Sequence, residues 1–235
     1  AGLALFAGPA AAAEGQKPAK SISFSFEGPF GHFDKGQLQR GYKVYKEVCA
    51  NCHAMKYVSF RNLAEEGGPG FTEEEVKAIA AGYTVKDGPG EDGEMFDRPG
   101  LPSDRFPSPF ANDKAAAAAN GGAAPPDLSL ITKARSGTHG TSALSTATMM
   151  IADIGSGYQE GGADYLYALL TGYANPPAGM KLADGMSYNK SFPGHQIAMA
   201  APLQAGAVRY QDNSPRTVEQ YARDVTAFLA WAGDP

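Results

Sequence analysis

Residues 49–53 form a C-x-x-C-H motif: Cys49, Ala50, Asn51, Cys52 and His53. This motif is the signature for covalent attachment of a c-type haem, in which both thiols add to the porphyrin vinyl groups and the histidine binds the iron. The two-residue spacing places both sulfurs beneath one edge of the macrocycle and points the imidazole at its centre. The whole chain has 2 cysteines, and both lie in this motif. The spacing therefore predicts one covalent haem with His53 as the proximal ligand.

Two other kinds of site use paired cysteines. A thioredoxin-like redox pair requires a βαβ context, which the flanking sequence does not show. A zinc site requires a second pair of Cys or His ligands at matching spacing. Neither requirement is met around Cys49 and Cys52.

The sixth coordination position of the iron indicates the kind of haem protein. A protein side chain binds there in an electron carrier, whereas a haem enzyme or ligand sensor keeps that position open. Met199 lies in the apolar segment 197–202, shortly after Pro193-Gly194. A thioether held in such a loop favours ferrous iron and raises the reduction potential. His139 and His195 are the rival ligands.

The other methionines are weaker candidates for this position. Met55 is too close to His53 to reach the opposite haem face. Met149 and Met150 are expected to pack in a helical stretch, and the remaining three lie in loops without a further signal: Met95, Met180 and Met186.

The motif should follow directly from a helix. Asp34 can cap a helix that runs to about Val48, and its apolar face carries Leu38, Tyr42, Tyr45 and either Val48 or Cys49. Gly41 lies inside it, where glycine costs about 1 kcal/mol relative to alanine. We interpret Gly41 as a crossing point at which another helix backbone comes close.

The last helix has the clearest pattern. It begins at Ser214 with Pro215 or at Thr217 with Gln220, and one apolar stripe follows. That stripe comprises Val218, Tyr221, Ala222, Val225, Phe228, Leu229 and Ala232. A helix leading into C-x-x-C-H and a C-terminal amphipathic helix are the two elements that cross in cytochrome c folds.

The remaining segments carry weaker signals of secondary structure. We expect a helix over 72–81 with Thr72 and Glu75 as a capping box, and another over 164–173 stopped by Gly172. Residues 22–26 alternate like a short strand or extended arm. Residues 85–126 read as loop with at most one turn of helix, and 137–162 as a Gly/Ser/Thr-rich stretch with one helical piece at 145–154.

Composition limits the function classes. With 29 Gly and 17 Pro among 235 residues, the chain predicts a helical core with long irregular loops. The net charge of −5 disfavours nucleic acid as a partner. No stretch reaches the roughly 18 apolar residues of a membrane span, so the chain as given is expected to be soluble. Residues 1–21 read as a secretory-signal remnant and flexible tail, consistent with haem attachment outside the cytoplasm.

Several segments together resemble the cytochrome c1 family, the haem subunit of the cytochrome bc1 complex (quinol–cytochrome c reductase). The resemblance covers the chain from about residue 22 to its end. Its motifs, besides the haem motif, include FSFEGPFG at 24–31, QRGY at 39–42, APPDLS at 124–129, KAR at 133–135, LLTGY at 169–173, FPG at 192–194 and MAAPL at 199–203. A generic small cytochrome c lacks the PPDLS segment and the FPG…MAxP loop.

The resemblance implies a mostly α, class I cytochrome c-type domain with long irregular loops over residues 22–235. Segment 136–163 would be an insertion relative to the shorter mitochondrial-type pattern. Cys49 and Cys52 would hold heme c, with His53 and Met199 as the iron ligands. The pocket would be lined by Asn120, Pro125, Pro126, Tyr165, Leu170 and Phe192, and Arg135 would reach a propionate.

The implied function is electron transfer in a respiratory or photosynthetic chain. The chain would accept electrons from a Rieske iron–sulfur protein and pass them to a soluble cytochrome c, beside a cytochrome b subunit, at the periplasmic face of the inner membrane. No bond chemistry is expected from it alone. The family continues beyond W-A-x-x-P into a membrane anchor; since this sequence stops at Asp234-Pro235, we expect the anchor to be missing or removed. The alternatives are a stand-alone periplasmic cytochrome c and a haem enzyme or sensor.

Overall fold

The computed structural model describes residues 22–135 and 161–234, and its regular structure is mainly helical. The mostly α fold class is thereby confirmed. The α-helices are α1 (Lys35–Glu47), α2 (Glu73–Ala81), α3 (Asp113–Ala119), α4 (Ile131–Ala134), α5 (Gly161–Thr171) and α6 (Val218–Ala232). Short 3-10 helices lie at Cys49–Asn51, Phe60–Ala64 and Pro193–His195.

Helix α1 begins and ends as its sequence predicts. The side chain of Asp34 accepts a hydrogen bond of 2.7 Å from the backbone N–H of Gln37, which caps the first turn. Leu38, Tyr42 and Tyr45 lie on the buried face. Because α1 ends at Glu47 and the 3-10 helix starts at Cys49, the helix leads straight into the haem motif.

Helices α1 and α6 cross at Gly41, and this confirms the interpretation of that glycine. A Cβ at Gly41 would lie 2.1 Å from the carbonyl oxygen of Asp224 and 2.6 Å from Cβ of Phe228. Both contacts are far inside van der Waals distance. Only glycine therefore permits the two helix backbones to approach this closely.

The core is rich in aromatic rings, and they connect α1 to α6 and to the loops. The ring of Tyr45 lies 5.8 Å from those of both Phe106 and Phe228, while Phe60 and Phe106 are 4.5 Å apart. Tyr45, Phe60 and Phe228 are buried at 1%, 0% and 0% exposure. Such ring pairs add about 0.5–1.5 kcal/mol each beyond the burial of their surface.

The other helix ends show which sequence signals were correct. Thr217, rather than Ser214, caps α6, and its hydroxyl accepts from the N–H of Gln220 at 3.2 Å. Thr72 and Glu75 form the predicted capping box of α2. Helix α5 ends at Thr171, directly before the predicted stop at Gly172 and two residues short of the predicted range 164–173. It also includes residues 161–163, which the sequence placed in the insertion.

The expectation of loop with at most one turn of helix over residues 85–126 was wrong. Strands β1 (Thr84–Asp87) and β2 (Phe96–Pro99) pair antiparallel there, and α3 adds seven residues of helix. The hairpin lacks an alternating apolar face, so hydrophobic patterning could not reveal it. It is braced instead by Arg98, which donates hydrogen bonds to Asp87 and Asp104.

A second two-stranded ladder lies near Met199. Strand β3 (Ser187–Tyr188) pairs antiparallel with β4 (Gln196–Ile197), and each strand has only two residues. Segments this short carry no period in the sequence. This ladder therefore emerges only from the tertiary structure.

The segment 22–26 is extended at its start and then turns, without strand pairing. The rings of Phe24, Phe26 and Phe33 stack at 5.0 Å intervals. The expectations for 1–21, for a helix at 145–154, for Met149 and Met150 and for His139 fall outside the described residues, as does most of segment 136–163. Across residues 22–135 and 161–234, no helix combines the length and the apolar character needed to cross a membrane.

Candidate haem site

The haem motif folds into a closed turn at the C-terminal end of α1. The backbone N–H groups of Cys52 and His53 both donate to the carbonyl of Cys49, at 3.1 and 2.9 Å. Both cysteines are free thiols; Cys49 is half-buried and Cys52 is exposed. The motif thus presents one thiol at the surface and one at the edge of the core.

This position argues against a reactive redox pair. Redox-active thiols are activated at helix N-termini, whereas Cys49 follows a helix C-terminus, where the macrodipole is negative. Burial, together with the neighbouring Cys52, raises the pKa of the Cys49 thiol to about 12. A zinc centre also lacks partners here, because no group of three or more Cys, His, Asp or Glu side chains among the described residues converges as metal ligands would.

The ring of His53 is oriented for ligation. Its Nδ1 lies 2.8 Å from the carbonyl oxygen of Pro126. A carbonyl can only accept, so Nδ1 carries the proton and donates, which leaves the lone pair of Nε2 for a metal. Burial lowers the pKa of His53, opposed by the bond to Pro126, and this favours the neutral imidazole that ligation requires.

Residues 53–57 are fastened to residues 126–129, and we call this pair of segments the proximal clamp. Besides the bond from His53, the N–H of Leu128 donates to the carbonyl of Ala54 at 2.9 Å. The N–H of Lys56 donates to Asp127 Oδ2 at 2.9 Å, and that of Tyr57 to Ser129 Oγ at 3.0 Å. The PPDLS segment therefore acts as the structural partner of the haem motif.

Met199 lies in a loop that is held from a different part of the fold. Met199 is half-buried, and its carbonyl accepts a hydrogen bond of 3.0 Å from the hydroxyl of Tyr173. Strand β4 ends two residues before it. Tyr173 lies two residues after the end of α5, so the position of Met199 depends on that helix.

The other candidate ligands have different surroundings. Met55 is fully buried, while Met95 and Met186 are 55% and 39% exposed. Met180 is half-buried. His195 is exposed, and its Nδ1 donates to the carbonyl of Asn189 at 3.1 Å.

Two tyrosines between α4 and the Met199 loop have raised pKa values. Burial raises the pKa of Tyr165 in α5, opposed by the positive charge of Arg135, which follows α4. Burial and the neighbouring Tyr165 in turn raise the pKa of Tyr173 to about 12. Tyr173 in turn bonds to the carbonyl of Met199.

The remaining predicted pocket residues have local roles in the structure. The side-chain amide of Asn120 donates to the carbonyl of Ala116 at 2.7 Å and so ends α3. Pro125 is half-buried and Pro126 is exposed. Leu170 is half-buried against the core, and the half-buried Phe192 donates its N–H to Asn189 Oδ1 at 3.2 Å.

Asn189 is the residue that sequence reasoning missed. It is fully buried, and its side chain bonds to the carbonyl of Leu169 and to the N–H groups of Ser191 and Phe192. The only available signal was a polar residue between two predicted site segments. Periodicity does not detect such a residue, because its partners lie on another element.

Comparison with known proteins shows the family. The model of the Cytochrome C1 family matches residues 24–235. The chain belongs to the cytochrome c1 family. Cytochrome c1-2, heme protein, mitochondrial, of Solanum tuberosum is 45% identical over 236 residues, covering 100% of this chain and 80% of the relative. Cytochrome c1 of Blastochloris viridis is 44% identical over 236 residues, covering 100% and 81%.

A further cytochrome c1 family relative is longer. Cytochrome b/c1 of Bradyrhizobium diazoefficiens is 54% identical over 227 residues, which are 96% of this chain but 32% of that protein. The chain thus spans about a third of that relative. The covalent c-type haem is the cofactor expected of the cytochrome c1 family, and the residues present fit it, since both thiols and a correctly protonated His53 are in place.

Proposed function

We propose that this chain is an electron-transfer protein in which Cys49 and Cys52 attach heme c covalently, with His53 and Met199 as the two iron ligands. The observation that carries the proposal is the 2.8 Å bond from His53 Nδ1 to the carbonyl of Pro126. It fixes the tautomer and the ring plane, and it makes Nε2 a stronger donor. When bound, the haem supplies a one-electron redox couple.

The protein residues have separable tasks in this proposal. The proximal clamp holds the imidazole still, so that little reorganisation accompanies a change of charge at the iron. Tyr173 holds the backbone of Met199, whose neutral thioether stabilises the ferrous state. A methionine held in this way argues against the alternative of a haem enzyme or sensor with an open sixth site.

The pocket wall follows from the same placement. Tyr165, Leu170 and Phe192 are all half-buried, as expected for side chains that cover an apolar macrocycle. Arg135 is exposed at the end of α4, and its positive charge acts on Tyr165. A guanidinium there suits a propionate, because it can form two parallel hydrogen bonds with a carboxylate. We assign Asn120, Pro125 and Pro126 to the remaining wall.

The partners follow from family membership. We propose that the chain works within quinol–cytochrome c reductase, beside cytochrome b and Rieske iron–sulfur subunits, and passes electrons to a soluble cytochrome c. A place at the periplasmic face of the inner membrane accords with haem attachment outside the cytoplasm. Holding the carrier beside its donor raises the effective concentration, so transfer requires no diffusional search.

The test is substitution of the sixth ligand in the haem-loaded protein. Met199→Leu should abolish the near-infrared sulfur-to-iron charge-transfer band of the oxidised form and lower the reduction potential by a sizeable part of the ~0.8 V range that axial ligands span. Electron acceptance from the iron–sulfur donor should be lost. Met95→Leu, at an exposed methionine, is the matched control and should leave all three unchanged. An unaltered band and potential in Met199→Leu would refute the assignment.

A further inference from the structure

The buried amide of Asn189 connects the end of α5 to the loop that carries Met199. Asn189 has 0% exposure, so each of its polar atoms must find a partner inside the protein. Its Nδ2 donates to the carbonyl of Leu169 at 2.8 Å. Its Oδ1 accepts from the N–H of Ser191 at 2.9 Å and from that of Phe192 at 3.2 Å.

The bond to Leu169 is the shorter of two hydrogen bonds to a carbonyl at the helix end, which also accepts from the N–H of Gly172 at 3.2 Å. The last four carbonyls of a helix have no partner within it, and in α5 these include Ala168 and Leu169. Ser191 Oγ donates to Ala168 at 3.0 Å, beside the bond from Asn189 to Leu169. The loop thus caps α5 through two neighbouring side chains.

The backbone of Asn189 is bound to the other side of the loop. Its N–H donates to the carbonyl of His195 at 3.0 Å, and its carbonyl accepts from His195 Nδ1 at 3.1 Å. His195 has φ of 59°, a left-handed conformation that is uncommon outside glycine. The two hydrogen bonds between Asn189 and His195 hold the turn at residues 189–195 closed. Strand β4 begins at the next residue and ends two residues before Met199.

Close packing at Gly172 shows that this arrangement tolerates little displacement. A Cβ at Gly172 would lie 2.8 Å from Asn189 Oδ1 and 3.0 Å from Ser191 Oγ. The next residue is Tyr173, whose hydroxyl donates to the carbonyl of Met199. Asn189 therefore couples both constraints on Met199, the one from Tyr173 and the one from His195.

We propose that Asn189 is a positioning residue for the sixth iron ligand: its buried amide sets the register between α5 and the 189–199 loop, and so keeps the Met199 sulfur at the iron. This inference rests on the ligation by Met199 under the proposed function. A neutral thioether is a weak ligand, so its occupancy depends on how tightly the loop is held. Without the amide, the loop can shift and the sulfur leaves the iron for part of the time.

The test compares Asn189→Ala and Asn189→Asp with Ser191→Ala in the haem-loaded protein. Ser191→Ala is the matched control, because it removes a bond to the same helix end without touching Phe192 or His195. Both Asn189 variants should weaken the near-infrared band by at least twofold, lower the reduction potential and let the reduced form bind carbon monoxide. Amide hydrogen exchange over residues 192–199 should accelerate at least tenfold. The control should lose a comparable amount of thermal stability with none of these changes.

Asn189→Asp preserves the size and the acceptor oxygen, and it carries the test if Asn189→Ala does not fold. An unchanged band, potential and exchange rate in the variant that folds overturns the inference. Equal changes in Ser191→Ala also overturn it, since they would reflect general loosening. If the Met199→Leu variant retains the near-infrared band of the wild type, the assignment of Met199 as ligand is wrong. That result is distinct from an unchanged band in the Asn189 variants, which would overturn only the role of Asn189.

Discussion

Gly41 in α1 lies so close to Asp224 in α6 that the carbonyl oxygen of Asp224 occupies the space of a side chain at Gly41. This contact sets the distance between the two helices that flank the core. It also brings the start of the haem motif, two residues beyond α1, into a fixed relation with the C-terminal helix. The geometry of the site therefore depends on a residue with no side chain.

Gly41→Ala should destabilise the protein by roughly 3 kcal/mol, because the added methyl group must push the helices apart and overpack the core. Urea unfolding of the haem-loaded protein measures this. Gly36→Ala, in the same helix, is the control: its Cβ would meet no atom closer than 3.4 Å, and alanine should be neutral or up to about 1 kcal/mol stabilising there. Equal effects at both positions would contradict the close-crossing argument.

Asp224 itself is fully buried, and its carboxylate accepts hydrogen bonds from several donors. Its Oδ2 accepts from Arg40 Nε at 3.0 Å and from Tyr210 OH at 2.8 Å, and its Oδ1 accepts from Gln220 Nε2 at 2.9 Å. Removing the carboxylate would leave the charge of Arg40 and the polar groups of Tyr210 and Gln220 without their hydrogen-bond acceptor. Asp224→Ala should therefore cost about 3 kcal/mol or more.

The matched control for Asp224 is Asp212, which bonds to the same arginine from the surface at 2.9 Å. The Asp212 side chain is 47% exposed, so Asp212→Ala should cost less than about 1 kcal/mol. Chemical unfolding of both variants gives the comparison. Similar losses at the two positions would show that the buried network adds nothing beyond a surface ion pair.

Asp164 predicts a specific pH dependence. Burial raises the pKa of Asp164, opposed by the 2.8 Å hydrogen bond from the N–H of Ile22. Because the folded pKa lies above the unfolded value of 3.8, the folded state binds more protons between the two. The free energy of unfolding should therefore fall as pH rises through this window and then stay level.

Asp164→Asn retains the acceptor for Ile22 and removes the buried charge. The variant should be more stable than the wild type at pH 7, and the difference should shrink below pH 4. Unfolding of both proteins at the two pH values measures this. A variant that is less stable at pH 7 would mean that the ionised carboxylate contributes attraction that outweighs its burial.

The tip of the β1–β2 hairpin bears exposed acidic side chains at Glu91, Asp92 and Glu94. If this tip steers a basic cytochrome c, the rate of oxidation should fall steeply with ionic strength, because exposed charges are screened beyond about 10 Å at 0.1 M salt. Stopped-flow oxidation at increasing salt measures it. Glu91→Gln with Glu94→Gln should flatten the profile.

The control for the hairpin is Glu65→Gln with Glu66→Gln, a pair of the same charge on another loop. It should leave the salt profile unchanged if the hairpin alone guides the partner. A flat profile in the wild-type protein would exclude electrostatic steering by either loop.

Much of the helical frame could be derived from local sequence. Asp34, Thr72 and Thr217 cap α1, α2 and α6 as their spacing predicted, because a cap bonds to residues two or three positions away. Gly41 was recognisable since glycine within an otherwise good helix needs a reason. The β1–β2 hairpin was missed, because polar bonds from Arg98 rather than an apolar face stabilise it.

The sequence by itself determined the chemistry at residues 49–53, because two thiols and an imidazole at fixed local spacing suffice to specify covalent haem attachment. Only the tertiary structure decided what holds that chemistry in place. The partner of His53 is the carbonyl of Pro126, and the loop of Met199 is held by Tyr173 and Asn189. These partners are distant in sequence, and each is selected because a buried polar group must find a hydrogen bond wherever the packed chain provides one.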